Sequence, residues 1–392
     1  MQEAIHATNQ PITEKPMKNF KYKSRVQVLA ISLPLLVLIG CGGGSDSATT
    51  PVSVPSADTT APTLAASLAI APTNGSTDIG YAAVTKFTAT EALSIASIKM
   101  ACDGIDVPGS TTVSGAVATF TPLAPGYAAS AKCTATVNAA LTKDLAGNAF
   151  ASNVAITNFT VKSLGCSSTA TNTPPVFNGT ALVAVCGNVF VDPTVAKNQY
   201  PQIVDSISTA IAADKAVYGA LQSSQPDVVV CNTPGCGTYF AGTSLRNVML
   251  PTNSFAGQYV APRTTVVLTS GTYGRNAFVL AHEFSHVEVA VRLNGKQVPA
   301  WFDEGLATLI GNEPECTGVT GKGVADLTTL AQQENWNSYT GNSANFSKTY
   351  CQARAEVAAW TGKYGIAGVV QLLQSVSKGQ SFSSLYGALL TQ

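Results

Sequence analysis

Residues Ala281 to Ala307 read A-H-E-F-S-H-V-E-V-A-V-R-L-N-G-K-Q-V-P-A-W-F-D-E-G-L-A. His282 and His286 are four apart, so on a helix they stand one turn above the other on a single face. Two imidazoles at that spacing can bind one tetrahedral Zn²⁺. Glu283 lies beside the first of them, where a carboxylate can take a proton from an attacking water. The pattern predicts a helix over Arg275 to Leu293, stopped by Asn294-Gly295. Pro299 suits the first turn of a second helix, and Glu304 follows inside it. A short turn between the two helices brings Glu304 back over the histidine face as a third ligand.

An H-E-x-x-H pentad alone is weak, and two core histidines on an amphipathic helix are the plain alternative. Histidine usage weighs against that alternative. The chain has only three histidines; two are in the motif, and His6 precedes the expected cleavage site. The W-F-D-E-G-L-A segment follows, with seventeen residues between His286 and Glu304.

These residues resemble the gluzincin metallopeptidases, and W-x-x-E-G-x-A is similar to the branch called peptidase MA-like. The resemblance implies His282, His286 and Glu304 as zinc ligands, Glu283 as general base and a peptide or protein as substrate. Two departures shape the expectation. Thermolysin-type members carry an aspartate four residues after the third ligand, where this chain has Thr308. The G-x-M-E-N segment that holds a substrate amine in aminopeptidases is missing, which favours endopeptidase over exopeptidase action.

The chain has 392 residues, 45% hydrophobic and 11% charged, enough for a multidomain protein. From Met17 a basic stretch leads into the apolar run Val26 to Ile39, which is short for a membrane span. The run ends L-I-G-C at Leu38 to Cys41, which resembles a bacterial lipoprotein cleavage box, with an uncut signal anchor as the alternative. That resemblance implies residues 1–40 as signal peptide and Cys41 as the lipidated first residue of the mature chain. It also implies a cell-envelope location, with the outer membrane favoured because Gly42, not aspartate, follows Cys41. Residues 1–40 hold five basic and two acidic residues, which leaves 17 against 20 and a net charge of −3 after cleavage. No basic patch points to nucleic acid. Residues 41–61 are rich in Gly, Ser, Thr, Pro and Ala and read as a flexible tether.

Over residues 62–163 short Val/Ile/Thr/Phe runs alternate with Gly, Pro and Asn turns, the pattern of an all-β sandwich. A-P-T-N-G-S-T-D-I near Ala71, T-F-T-P-L near Thr119 and K-D-L-A-G-N at Lys143 resemble bacterial Ig-like domains, which implies a spacer or binding module without chemistry. Setting Cys41 aside leaves eight cysteines in neighbouring couples: Cys102 with Cys133, Cys166 with Cys186, Cys231 with Cys236, and Cys316 with Cys351. Disulfides in an oxidising compartment are the reading. A zinc knuckle at Cys231 and Cys236 lacks two further ligands nearby.

Residues 167–392 mix helical and strand patterns: an α+β, mainly helical region, for which the gluzincin resemblance implies a zincin-type metallopeptidase domain. Tyr200 to Gln222 has helical spacing, Val228 to Cys231 and Thr264 to Thr269 read as strands, and Asp326 to Trp336 as a helix. The resemblance implies that Thr264 to Thr269 is the edge strand along which a peptide lies. It also implies Tyr350, which opens a helix broken at Tyr364-Gly365, as the donor to the oxyanion; a tyrosine packed on the core is the alternative. Asp303 either orients an imidazole or is a solvated helix residue. The function expected is a lipid-anchored zinc endopeptidase, and the competing reading is a surface adhesin or binding lipoprotein whose zinc domain is catalytically silent.

Overall fold

The structure is a computed structural model and describes residues 58–65, 70–167, 169–244, 247–269, 277–316, 318 and 324–387. The expected signal peptide, Cys41 and nearly all of the tether lie outside these residues, as does Arg275 at the expected start of the metal helix. Among the described residues no helix is long and apolar enough to cross a membrane.

From Ser76 to Val161 the chain is strand-rich. One sheet runs in the order Ser76–Ile79, Val154–Val161, Lys132–Val137, Ile98–Cys102, Ile105–Asp106. A second runs Thr85–Thr88, Val117–Pro122, Gly109–Ser114. Alternation sets which side chains face inward: Ile98, Met100 and Cys102 are buried while Lys99 between them is exposed. Phe87 and Phe120 of the smaller sheet share one core with Met100, Val137 and Phe159 of the larger, as two facing sheets must. Cys102 and Cys133 stand opposite each other on adjacent strands and are bonded.

The second region is built on a five-stranded sheet and eight helices among the described residues. Its strands are β1 (Val183–Cys186), β2 (Val189–Val191), β3 (Asp227–Val230), β4 (Val248–Leu250) and β5 (Thr265–Leu268). Their order is β1-β2-β3-β5-β4; β2, β3 and β5 are parallel, and β1 and β4 are antiparallel to their neighbours. Both faces of the sheet are covered. Val228 and Val230 point into the core shared with the helices, while Val229 and Val267 point into a smaller core with Phe240.

The helices are α1 (Tyr200–Tyr218), α2 (Pro234–Ala241), α3 (Ala277–Leu293), α4 (Ala300–Gly311), α5 (Gln333–Thr340), α6 (Phe346–Tyr364), α7 (Ala367–Ser377) and α8 (Phe382–Tyr386). Helix α3 ends where Asn294 and Gly295 turn into positive φ, 47° and 81°. Pro299 is the N-cap of α4 rather than a residue of its first turn. Helix α2 has no counterpart in the sequence reading. Thr233 caps it by accepting from the Cys236 amide at 3.2 Å, and Pro234 stands in its first turn. All four cysteine couples are bonded.

Three further expectations need correction. Strand β5, expected at the sheet edge, is interior and pairs with both β3 and β4; among the described residues the edge on that side is β4. All four of its residues, Thr265 included, are buried, as a strand with a neighbour on each side and both faces covered requires. The helix expected over Asp326 to Trp336 is instead a 3₁₀ turn at Leu327–Leu330 followed by α5. Asp326 caps the first piece by accepting from the Thr328 amide, a local bond that competes with a continuous helix. Finally, α6 begins at Phe346, so Tyr350 sits one turn inside it instead of opening it.

Candidate metal centre

Helix α3 carries an apolar face into the core through Leu280, Phe284, Val287 and Leu293, which leaves His282 and His286 on the side toward α4. Two glycines let the surrounding helices close in. A Cβ on Gly305, next to Glu304, would meet the Ala353 carbonyl of α6 at 2.5 Å. A Cβ on Gly311, the last residue of α4, would meet the Phe278 carbonyl of α3 at 2.6 Å. The E-G pair of the motif thus has a packing reason: α6 rests on α4 directly beside the third proposed ligand.

The two imidazoles and the carboxylate converge on one point. Nε2 of His282 lies 3.2 Å from Glu304 Oε2, and Nε2 of His286 lies 3.5 Å from the same atom. One ligand atom from each of the three residues falls within 4.8 Å of the others. Tetrahedral zinc with bonds of about 2.0–2.2 Å sets neighbouring ligand atoms about 3.3–3.6 Å apart. The 3.5 Å contact falls within that spacing and the 3.2 Å contact just short of it, so these residues suit a zinc ion.

The outward nitrogens are also provided for. Nδ1 of His286 is 3.1 Å from Asp303 Oδ2. Nδ1 of His282 is 3.0 Å from Glu313 Oε1, close but poorly aligned for a hydrogen bond. Glu313 is absent from the sequence reading. It lies nine residues beyond Glu304 in a turn, and no spacing rule links such a residue to His282. At Thr308, where a thermolysin-type chain has its aspartate, the hydroxyl donates to the Glu304 carbonyl of its own helix at 2.7 Å.

Charge is concentrated here. Burial pulls the His282 pKa down, but Glu304 and Glu313 outweigh it and lift the group to about 9. His286 is likewise raised against the effect of burial, by Asp303 and then Glu304. Burial raises Glu304, yet the two imidazoles hold it well below the carboxylate range. Glu283, 7% exposed, is pushed up by burial and partly pulled back by the two histidines. The carboxylates of Glu304, Glu313 and Asp303 that lift both imidazoles supply the negative field in which a divalent cation would displace their protons.

Tyr350 reaches the same place. Its ring centroid is 6.1 Å from that of His282, and Trp336 and Phe346 pack on it at 5.0 and 4.7 Å. Trp336 Nε1 donates to the Tyr350 hydroxyl at 3.4 Å. An open cavity of about 470 Å³ adjoins His286 and Asp303, with Met249 of the edge strand β4 on its wall. Glu288, on the same helix, has no part in the cluster. It accepts from the Gln222 and Ser223 amides and from Arg292 Nε at 2.7 Å, tying α3 to the end of α1.

Residues 58–161 match the family described as bacterial Ig-like domain. No curated protein matches the sequence. Among solved structures the chain is similar to native yeast LTA4 hydrolase at 10% identity and a TM-score of 0.31, over 81% of this chain and 64% of that one. The match therefore spans less than two thirds of that structure's length, a likeness too slight to assign a fold.

Proposed function

We propose that this chain is a zinc-dependent endopeptidase of the cell envelope, held to the membrane by a lipid on Cys41. The observation that carries the reading is the convergence of His282 Nε2, His286 Nε2 and Glu304 Oε2 at zinc-ligand spacing, with Glu283 buried on the same helix. Zinc bound there would supply a Lewis acid that acidifies water and polarises a peptide carbonyl.

The chain's own groups do the rest. Glu283 takes the proton of the attacking water and delivers it to the leaving amine. The Tyr350 hydroxyl donates to the oxygen on which negative charge develops. Asp303, beside His286 Nδ1, holds the tautomer whose Nε2 lone pair is free for the metal. Strand β4 has one neighbour among the described residues, and its other edge can align an extended peptide by backbone hydrogen bonds.

The match to bacterial Ig-like domains favours a binding duty as well, and the competing reading is a surface adhesin or binding lipoprotein with a silent zinc domain. Zinc content and peptide-library cleavage, with and without a chelator, separate the two. The enzyme cleaves and stops when chelated; the adhesin holds zinc and cleaves nothing. Glu304→Ala tests the ligand set. It is expected to weaken zinc binding by more than about 100-fold, beyond the usual loss for a partner one shell out. Full zinc loading of this variant at nanomolar free metal removes Glu304 from the site.

A further inference from the structure

Glu313 owes its place to a turn held on both flanks. Gly311 brings the end of α4 against α3 at Phe278 and His282. Asn312 then adopts the left-handed conformation, φ 50° and ψ 48°, and reverses the chain. Glu313 follows immediately and faces His282 Nδ1. Pro314–Cys316 forms a 3₁₀ turn, and Cys316 is bonded to Cys351 of α6. Arg354, also of α6, donates from Nη2 to Asn312 Oδ1 at 3.4 Å. Helix α6 therefore grips the turn before and after Glu313, and Cys351 is the residue next to Tyr350. Both bonded cysteines are buried, at 1% and 3% exposure, so the bridge acts as a permanent clamp.

Resting on the metallopeptidase reading, we propose that Glu313 is a positioning residue for His282 and that the Cys316–Cys351 bridge sets its position. A carboxylate 3.0 Å from Nδ1, off the axis of a hydrogen bond, favours the proton on that nitrogen by its charge and leaves the Nε2 lone pair for the metal. Asp303 serves His286 from the residue adjoining a ligand. Thr308 is turned to its own helix backbone, so His282 depends on a group beyond the end of α4. A turn of that kind has little helical structure to fix it, and the covalent tie to α6 supplies the missing rigidity.

The test is the zinc dissociation constant of the full chain, measured by competition with a chromogenic chelator, alongside melting of the metal-free protein. Glu313→Ala is expected to weaken zinc binding by about 10–100-fold with little change in metal-free melting. Glu313→Gln keeps an acceptor oxygen without the charge and should fall between that variant and wild type. Glu315→Ala, exposed in the same turn, should bind as wild type does. Cys316→Ala with Cys351→Ala should weaken binding in the direction of Glu313→Ala. If Glu313→Ala fails to fold, Glu313→Gln decides: weaker binding upholds the assignment and an unchanged constant overturns it. A folded Glu313→Ala that binds as tightly as wild type overturns it outright. A folded double-cysteine variant with unchanged affinity overturns the clamp. Wild-type protein that takes up no zinc overturns the metal reading itself, a result distinct from the others.

Discussion

Between Ser76 and Val161 the interior is apolar, built on Phe87, Phe120, Tyr127 and Phe159, and its one buried carboxylate is well served. Asp144 accepts from the Asn148 backbone and side-chain amides at 2.8 Å each, which outweighs burial and lowers its pKa. Between Tyr200 and Tyr386 the interior also holds His282, Glu283, Glu288, Arg292 and Asp214. Asp214 is 1% exposed with no hydrogen-bond partner for either oxygen. Burial, followed by the charge of Glu288, pushes its pKa up to about 8. Burying ionisable groups costs free energy, and clustered perturbed groups are the mark of a chemical site. The contrast agrees with the proposal above, in which the chemistry belongs to the helical region.

The largest expected effect belongs to the helical region. Glu283→Gln keeps the shape of the side chain but removes the base, so kcat should fall by about 10²–10⁴ while zinc content stays unchanged. Peptide turnover with metal analysis checks it, and near wild-type turnover assigns the base elsewhere. The strand-rich region should behave in the opposite way. Phe87→Ala empties a fully buried site and should destabilise that region by about 3–5 kcal/mol without moving the zinc dissociation constant. Denaturation followed by zinc titration tests this, and a shifted constant breaks the division between the regions.

Tyr350→Phe should lower kcat by about 10²–10³ and leave KM and zinc content near wild type. Tyr364→Phe is the matched control, since Tyr364 is 48% exposed and lies beside Trp360. Tyr386 packs among Trp301, Phe302 and Phe382, so Tyr386→Phe should cost about 0.5–1.5 kcal/mol of stability and no activity. A crippled control beside an active Tyr350→Phe transfers the donor role.

A pH slope sharpens the comparison from the side of stability. Folded metal-free protein keeps the Asp214 proton up to about pH 8, against an ordinary value of 3.8. The stability from the neutral carboxyl is complete below the ordinary value and is lost as pH rises through the folded one. Wild type should therefore lose about 1.4 kcal/mol per pH unit across that window relative to Asp214→Asn. Urea midpoints of both proteins at a series of pH values read this directly; parallel curves mean that the carboxyl is not held neutral.

Much of this was legible along the chain because it is local. Two histidines one turn apart, the Asn294-Gly295 stop and a proline at the start of the next helix span a few residues each, and their spacing states which face they share. The turn-rich pattern that matches bacterial Ig-like domains is local too, as are cysteine couples such as Cys231 and Cys236. Tertiary structure alone decided the rest. T-T-V-V-L-T reads as a strand in any setting, but only its neighbours β3 and β4 make it interior. Asp303 could have faced water until α4 packed on α3 and turned it to His286. Glu313 had no signature, because its partner lies across a helix–helix contact that depends on Gly311 having no side chain. Helical and strand periodicity encode an element's own faces, whereas pairing and approach depend on residues far away in sequence, which no local pattern records.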